Sequence, residues 1–266
     1  MWGNKTVKTQ TVIDVQSVTK VYGKKNEKQY TALKDVNFNV KKGEFVGIMG
    51  ASGSGKTTLL NILATMDQPT KGNVLIANQD ITQLKGNQIS DFRAKQIGFI
   101  FQDFNLLESL SNAENIGLPL TLQGVKKRQI NELVHQVASQ LGISQLLDKY
   151  PVEISGGQKQ RVAAARGLIS RPQILFADEP TGTLDSKNAR ELLETLKQIN
   201  DEEQVSILMV THDPFSASYC ERILFIKDGQ IGEQLEAGKQ SRTEFYQTIL
   251  NKLGTFNDQE ETIDVI

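Results

Sequence analysis

The 266-residue sequence contains a single cysteine, Cys220, so no disulfide can form within the chain and a reducing compartment is expected. Long hydrophobic runs are also missing, since no apolar stretch approaches the roughly 20 residues that a membrane-spanning helix needs. The N-terminal residues MWGNKTVKTQ lack the apolar centre of a secretory signal. We therefore expect any action on a membrane to require a separate membrane protein.

Neither sign of charge dominates, because the formal net charge is −1. Such a chain can hold nucleic acid only through a local basic patch. The densest basic run, Lys126-Lys127-Arg128, is typical of the solvated start of a helix, so nucleic acid is not an expected partner. The contents of 38% hydrophobic and 23% charged residues are ordinary for a globular protein, and the length leaves one domain or two open.

Two alternating segments, VIDVQSV and VNFNV, predict strands at 12–18 and 36–40. Apolar strands then alternate with helices, which predicts an α/β fold with a parallel sheet wound on both faces. The pattern changes between about 103 and 154, where Ile130, Val134 and Val137 fall on one face of a helix. We interpret this segment as a helical subdomain inserted into the α/β core.

The C-terminal segment 236–266 is predicted to hold a short amphipathic helix and an acidic tail. Phe245, Ile249 and Leu253 recur at four-residue intervals, and the last ten residues are NDQEETIDVI. The apolar side of this helix could pack on its own domain or contact a second subunit, and the sequence leaves both open.

A glycine-rich segment fits the phosphate-binding pattern G-x-x-x-x-G-K-[ST], with an apolar strand before it and a helix after it. Glycines let the backbone present successive N–H groups to phosphates, and the N-terminus of the following helix adds positive potential. Lys56 is expected to reach the β- and γ-phosphates, and the Thr57 hydroxyl to ligate Mg²⁺. The predicted nucleoside triphosphate site comprises Gly50, Ala51, Ser52, Gly53, Ser54, Gly55, Lys56, Thr57 and Thr58.

Three further groups could ligate the metal or act on the attacking water. Asp178 and Glu179 end the apolar strand ILFAD, where open α/β sheets bind ligands; Asp178 is placed for Mg²⁺ and Glu179 as general base. His212 follows another apolar strand and could contact the γ-phosphate, although its own sequence context does not decide this. The Gln102 amide could bridge Mg²⁺ and water, whereas His135 lies among polar neighbours on a helix and is expected to play no part.

A second anion-binding helix terminus is predicted at Ser155, Gly156, Gly157 and Gln158. Ser155 can cap the following helix, and the glycines leave backbone N–H groups bare. An ordinary N-cap with flexible glycines would explain the same residues, so the motif alone does not identify a ligand.

Together these motifs resemble the complete set of ABC-transporter nucleotide-binding domains, in the order 50–57, Gln102, 155–158, 178–179, 183–185 and His212. The resemblance covers roughly residues 12–229. It implies a P-loop NTPase (RecA-like) core, an N-terminal antiparallel β-subdomain and the inserted helical subdomain, with 12–235 as the nucleotide-binding domain. Two departures are Ile154 for the usual leucine and Thr183 for the more common alanine or asparagine.

The same resemblance implies how the motifs are used. Two copies bind head to tail around two ATP molecules, and each γ-phosphate meets the cradle of one chain and the 155–158 motif of the other. Asp185 lies at the dimer seam, and Tyr22 stacks its ring on adenine. An aromatic face is all that such stacking requires, so this role suits Tyr22 physically as well.

The stretches FVGIMGASGSGKTTLLNIL, IGFIFQDFNLL and FADEPTGTLDS are similar to the lipoprotein-release and macrolide-export branch, and within it to the Bce-type (bacitracin-resistance) ATPases of Gram-positive bacteria. This similarity implies an integral membrane permease, a location at the cytoplasmic face of the cell membrane, peptide antibiotics as targets and, in some cases, a sensor histidine kinase. Lipoprotein release, macrolide export and cell-division regulation stay open as alternatives. A non-transport P-loop ATPase is not expected, because a kinase has no use for residues 155–158 and a chromosome-tethering ATPase needs long coiled coils.

Overall fold

The computed structural model describes residues 10–23 and 28–261, with side chains through residue 254. Its strands are β1 (Thr11–Tyr22), β2 (Tyr30–Lys41), β3 (Phe45–Met49), β4 (Lys71–Ile76), β5 (Gln79–Asp80), β6 (Ile97–Ile100), β7 (Ile174–Asp178), β8 (Ser206–Val210), β9 (Arg222–Lys227) and β10 (Gln230–Glu236). Its helices are α1 (Lys56–Leu63), α2 (Asn87–Gln96), α3 (Asn112–Leu122), α4 (Lys127–Gln140), α5 (Gly156–Leu168), α6 (Ser186–Glu203), α7 (Pro214–Ala217) and α8 (Arg242–Glu261).

A six-stranded sheet in the order β10-β9-β3-β8-β7-β6 forms the centre of the molecule. Strands β3, β6, β7, β8 and β9 pair in parallel, which confirms the predicted α/β class. The edge strand β10 pairs antiparallel with β9, so the sheet is mixed rather than wholly parallel. The sequence did not predict β10, because an edge strand that is mostly exposed carries little apolar pattern.

The middle strand β3 shows why the parallel strands are continuous apolar runs in the sequence. Phe45 and Met49 pack into the core on the side of α5 and α6, whereas Val46 and Ile48 pack on the side of α1 and the second sheet. Successive side chains of a strand point to opposite faces, so a strand covered on both faces must be apolar throughout. Because β3, β7 and β8 run parallel, their carboxyl ends meet at one edge of the sheet.

The second sheet is the predicted N-terminal antiparallel subdomain, in the order β2-β1-β4-β5. Strands β1 and β2 form a long antiparallel pair in which Tyr22 lies opposite Tyr30. This pairing places two tyrosines side by side at the end of the sheet that faces the start of α1.

Helices α3 and α4 occupy the range in which the sequence predicts a helical subdomain, and both pack on α5. Ile130, Val134 and Val137 are buried, while His135 and Gln136 are exposed, as the helical periodicity predicts. The basic run at 126–128 is exposed at the start of α4, which agrees with a solvated helix start. The boundaries 103 and 154 remain predictions.

Helix α8 packs on its own domain, since Phe245 and Ile249 are fully buried in the same core as Tyr219. The side chains of the predicted acidic tail lie outside the residues whose side chains the structure describes. Within the described ranges, no helix is both long enough and apolar enough to cross a membrane.

Candidate functional site

The loop between β3 and α1 bends sharply, and its glycines are required by that bend. A Cβ on Gly50 would lie 2.2 Å from the Ile226 carbonyl oxygen, so no larger residue fits there. Gly53 and Gly55 have φ values of +80° and +106°, which glycine adopts without strain. The loop therefore curls tightly with its tip at Gly53 left open, because a Cβ there would meet nothing within 4 Å.

Lys56 lies inside this curl and is only 8% exposed. Its ammonium donates hydrogen bonds of 2.7 Å to the carbonyl oxygens of both Gly50 and Ala51. Burial lowers the pKa of Lys56, and the nearby carboxylates of Glu179 and Asp178 oppose that shift. A cation is thus held inside the glycine loop at the start of α1, which suits a polyphosphate anion.

The two carboxylates differ in their surroundings although they are adjacent in sequence. Asp178 ends β7, and its burial raises its pKa, as does the neighbouring charge of Glu179, while Lys56 opposes the shift. Glu179 has a positive φ of 43° and donates its backbone N–H to Val210 O at 2.9 Å. A residue in this sparsely populated region needs support from its neighbours, and the pairing of β7 with β8 supplies it.

His212 meets Glu179 across the ends of β7 and β8. Its Nδ1 atom lies 2.9 Å from Glu179 Oε1, and the imidazole is otherwise well exposed. The in-register pair Asp178–Val210 brings these two residues together from positions 33 apart in sequence. The structure therefore places His212 beside the predicted general base, and its contact with a γ-phosphate stays a prediction.

Lys56, Glu179 and His212 line a cavity of about 600 Å³. It is lined by Tyr30, Ala32, Ser52, Gly53, Gly55, Lys56, Thr57, Thr58, Glu179 and His212. The hydroxyl of Ser54 beside it is buried and has no hydrogen-bond partner among the described residues. The glycine loop, the buried lysine and this unpaired hydroxyl fit an anionic ligand larger than a single phosphate.

Gln102 lies on the turn after β6 and is exposed. A Cβ placed on Gly182 would lie 3.3 Å from Gln102 Nε2, so the amide rests against the loop that follows Glu179. Gln102 does not line the cavity itself. The Gln102 amide, which is predicted to bridge Mg²⁺ and water, thus lies beside Gly182, on the loop that follows Asp178 and Glu179.

The 155–158 motif is built as the sequence predicts, but away from the cavity of its own chain. Ser155 caps α5 in a reciprocal arrangement: its Oγ accepts from Gln158 N at 3.4 Å, and Gln158 Oε1 accepts from Ser155 N at 3.0 Å. Gly156 is exposed, whereas Gly157 packs so closely on α6 that a Cβ would lie 2.6 Å from Asn188 Cγ. None of the four residues lines the cavity that contains Lys56.

Asp185 caps α6 with three hydrogen bonds. Oδ1 accepts from the backbone N–H groups of Asn188 at 2.9 Å and Lys187 at 3.0 Å, and Oδ2 accepts from Asn188 Nδ2 at 2.5 Å. These bonds, led by that from Asn188 N, lower the pKa of Asp185. Since Asn188 also contacts Gly157, the cap of α6 and the start of α5 are in direct contact.

Tyr22 lies at the rim rather than in the cavity. Its hydroxyl donates to Asp67 Oδ2 at 2.8 Å, and Lys20 Nζ lies 4.7 Å from its ring centroid. Burial and the bond to Asp67 raise its pKa. Its cross-strand partner Tyr30, which the sequence analysis did not select, lines the cavity directly. Only the register between β1 and β2 reveals this, because nothing local marks Tyr30 as different from other strand residues.

The profile described as ABC transporter matches residues 33–182, more than half of the chain. The chain belongs to the ABC transporter family. This ABC ATPase is 51% identical to the bacitracin export ATP-binding protein BceA of Halalkalibacterium halodurans, over 91% of its own length and 96% of that relative. It is 47% identical to the ABC transporter ATP-binding protein YxdL of Bacillus subtilis, over 93% of its own length and 96% of the relative.

Among solved structures, the ABC ATPase resembles the ATP-binding cassette MJ0796, determined as a post-hydrolysis dimer bound to ADP and Pi. The TM-score is 0.78 at 38% identity, covering 84% of this chain and 98% of that one. The P-loop NTPase cassette fold predicted from the sequence is therefore confirmed. The chain is an ATP-binding subunit of an ABC transporter and an ATPase.

Proposed function

We propose that this ABC ATPase drives an integral membrane permease that confers resistance to peptide antibiotics such as bacitracin or lantibiotics. The observation that carries this proposal is the 51% identity to a bacitracin export ATP-binding protein over nearly the whole of both chains. With no membrane-spanning helix in the described ranges, the ATPase would act at the cytoplasmic face of the membrane through the permease.

ATP would lie with its phosphates in the glycine loop. The Lys56 ammonium, now bonded to two carbonyl oxygens of that loop, would turn to the phosphate oxygens. The hydroxyl of Thr57, the carboxylate of Asp178 and the amide oxygen of Gln102 would hold Mg²⁺. The metal would neutralise charge on the phosphate oxygens. Burial and the charge of Glu179 raise the pKa of Asp178, and a bound cation would oppose that shift by stabilising the carboxylate.

Glu179 would act as general base toward the attacking water. Its carboxylate lines the cavity beside the imidazole of His212, which can hold the carboxylate in place and contact the γ-phosphate. Positioning and electrostatic stabilisation would supply most of the catalysis, since phosphoryl transfer needs little covalent chemistry from the protein.

A second copy of the chain would complete the site. Ser155, Gly156 and Gln158 lie away from the cavity of their own chain, yet they form an exposed helix N-terminus suited to the γ-phosphate of a partner's ATP. ATP would thus close a head-to-tail dimer with Asp185 at the seam, and loss of phosphate would open it. The dimeric state of the similar cassette MJ0796 supports this arrangement.

The permease would dock on the groove between α2, β6 and α5. A cavity of about 330 Å³ there is lined mainly by apolar residues, including Met66, Phe99 and Phe101, together with Arg93 and Arg166. An apolar groove with a few charged groups suits an amphipathic helix.

The loop that follows Gln102 borders this groove and contacts α5, the helix that begins with the 155–158 motif. Leu107 is 47% exposed on that loop, while Phe104 and Leu106 are partly buried. Arg166 of α5 donates to Phe104 O at 2.8 Å and to Asn105 O at 2.5 Å. Arg166 lies in the last turn of α5, and the Phe104 ring approaches the first turn, where a Cβ on Gly156 would lie 3.8 Å from Phe104 Cζ. Movement of the loop would therefore reach both ends of α5, including the 155–158 motif at its start.

Macrolide export is the second candidate, because the macrolide export ATP-binding/permease protein MacB of Syntrophobacter fumaroxidans is 43% identical over 83% of this chain. This chain spans 31% of that relative, whose name includes a permease. A sensor histidine kinase reached through the permease is a further proposed partner, which rests on the Bce-type resemblance alone.

Growth inhibition in the native host distinguishes these functions. Wild type and Glu179→Gln, expressed at matched levels, should be compared with bacitracin, a panel of lantibiotics and a macrolide. Selective sensitisation to peptide antibiotics is expected. If Glu179→Gln is stably made and unable to hydrolyse ATP but leaves peptide inhibition unchanged, the resistance proposal is wrong; sensitisation to the macrolide alone would favour export of that class.

A further inference from the structure

The cavity that contains Lys56 has an aromatic wall. Tyr30 begins β2, lines this cavity and is 59% exposed, more than the 40% of Tyr22. Its hydroxyl lies 3.4 Å from the carbonyl oxygen of Gly53, at the tip of the glycine loop, which is a long contact. Tyr30 therefore stands at the open side of the cradle with most of its surface uncovered.

Tyr22 differs from Tyr30 in how firmly it is held. Its hydroxyl is bonded to Asp67, the Lys20 ammonium lies near its ring, and Lys20 pairs with Asp67 at 2.6 Å. The side chains of Lys20 and Asp67, bonded to each other, thus both contact Tyr22. Tyr30, directly opposite on the neighbouring strand, lies closer to the phosphate-binding end of the site.

We propose that Tyr30 is a second nucleoside-contacting residue of the ATP site, whose ring packs against the adenosine portion of a nucleotide seated in the glycine loop. This proposal rests on the nucleotide site described under the proposed function. The nucleoside of a nucleotide whose phosphates lie at Lys56 must extend out of the glycine loop on its open side, where Tyr30 lies. Aromatic rings contact nucleosides favourably without hydrogen bonds that select one base, so the contact adds affinity for the nucleoside rather than for the phosphates.

The ring and the hydroxyl of Tyr30 can be tested separately. Tyr30→Ala removes both, whereas Tyr30→Phe removes only the bond to Gly53. Because the side chain is mainly exposed, neither change should impair folding, and thermal unfolding checks this. Tyr150→Ala, at another exposed tyrosine far along the chain, serves as a matched control.

The full-length protein should be titrated calorimetrically with a non-hydrolysable ATP analogue and, separately, with inorganic tripolyphosphate. Tyr30→Ala is expected to weaken binding of the analogue about five- to tenfold, while tripolyphosphate binding changes less than about twofold. Tyr30→Phe and Tyr150→Ala should both stay within about twofold of wild type for either ligand.

Three results would overturn the proposal: unchanged analogue binding by Tyr30→Ala, an equal loss for both ligands, or a loss in Tyr30→Phe as large as that in Tyr30→Ala. The last two would mean that Tyr30 acts through the Gly53 carbonyl. Lys56→Ala tests the underlying site independently, because it should weaken both ligands. If Lys56→Ala binds both ligands normally, the site assignment itself fails; if only the Tyr30 variants behave normally, the site stands and the Tyr30 contact does not.

Discussion

The hydroxyl oxygens of Thr181, on the loop that follows Glu179, and Ser216, on the short helix α7 that follows His212, lie 2.9 Å apart in the interior. Ser216 Oγ donates its proton to Asp213 Oδ2 at 2.6 Å, so Thr181 must be the donor to Ser216. A buried chain of two hydrogen bonds thus ties together the two segments whose side chains form the Glu179–His212 pair.

Ser216→Ala should therefore disturb the alignment of that pair without touching the nucleotide. We expect kcat for ATP hydrolysis to fall about three- to tenfold while KM for ATP changes less than about twofold, since small displacements near reacting groups cost rate more than binding. Steady-state kinetics measure kcat and KM separately. Thr181→Ser keeps the hydroxyl and should stay near wild type; an unchanged kcat in Ser216→Ala would show that the hydrogen-bond chain has no positioning role.

Glu179→Gln keeps the shape of the side chain and removes its basicity. We expect ATP hydrolysis to fall by about 100-fold or more, as for loss of a general base, whereas ATP binding is retained. Steady-state phosphate release and equilibrium binding test the two halves of this prediction. Glu132→Gln, an exposed glutamate on α4, is the control and should hydrolyse normally. Near-normal hydrolysis by Glu179→Gln would mean that another group activates the water.

The adjacent glycines of the 155–158 motif should respond differently to alanine. A Cβ on Gly157 would lie 2.6 Å from Asn188 Cγ, whereas one on Gly156 would meet only Phe104 Cζ, at an ordinary 3.8 Å. Gly157→Ala should therefore lower the free energy of unfolding by about 1–3 kcal/mol, and Gly156→Ala by less than about 0.5 kcal/mol. Denaturant titration compares them, and equal values would show that Asn188 moves aside without cost.

Asp178→Asn should stabilise the nucleotide-free protein at neutral pH. The pKa of Asp178 is raised by burial above its ordinary value of 3.8, so its ionisation opposes folding, and stability is lost as pH rises through the raised pKa. We expect the Tm of Asp178→Asn to exceed that of wild type by a few degrees at pH 7.5 and by progressively less as pH falls toward the ordinary value. Calorimetry across pH 4 to 8 measures this.

The control for this prediction is Asp91→Asn, which removes an exposed carboxylate on α2 and should leave Tm unchanged at every pH. A Tm of Asp178→Asn that equals or falls below wild type throughout would show that the attraction between Asp178 and Lys56 outweighs the cost of burying the carboxylate.

Much of the fold was predictable because its strands and helices have strong local patterns. The apolar run of β3 and the periodic face of α4 led directly to their structures. The edge strand β10 was missed because it pairs with β9 alone and is mostly exposed, so few of its residues need to be apolar. Of the site, the glycine loop was predictable residue by residue, since its conformation depends on glycines within eight neighbouring positions.

The sequence by itself determined the class of chemistry, because a phosphate cradle, a pair of carboxylates and a second helix N-terminus are each encoded in a few consecutive residues. Only the tertiary structure decided which distant groups meet. The register of β7 with β8 sets His212 against Glu179. The register of β1 with β2 sets Tyr30 opposite Tyr22, and Tyr30 is the one of the two that lines the cavity. Strand register depends on packing between segments far apart in the chain, and no local pattern contains that information.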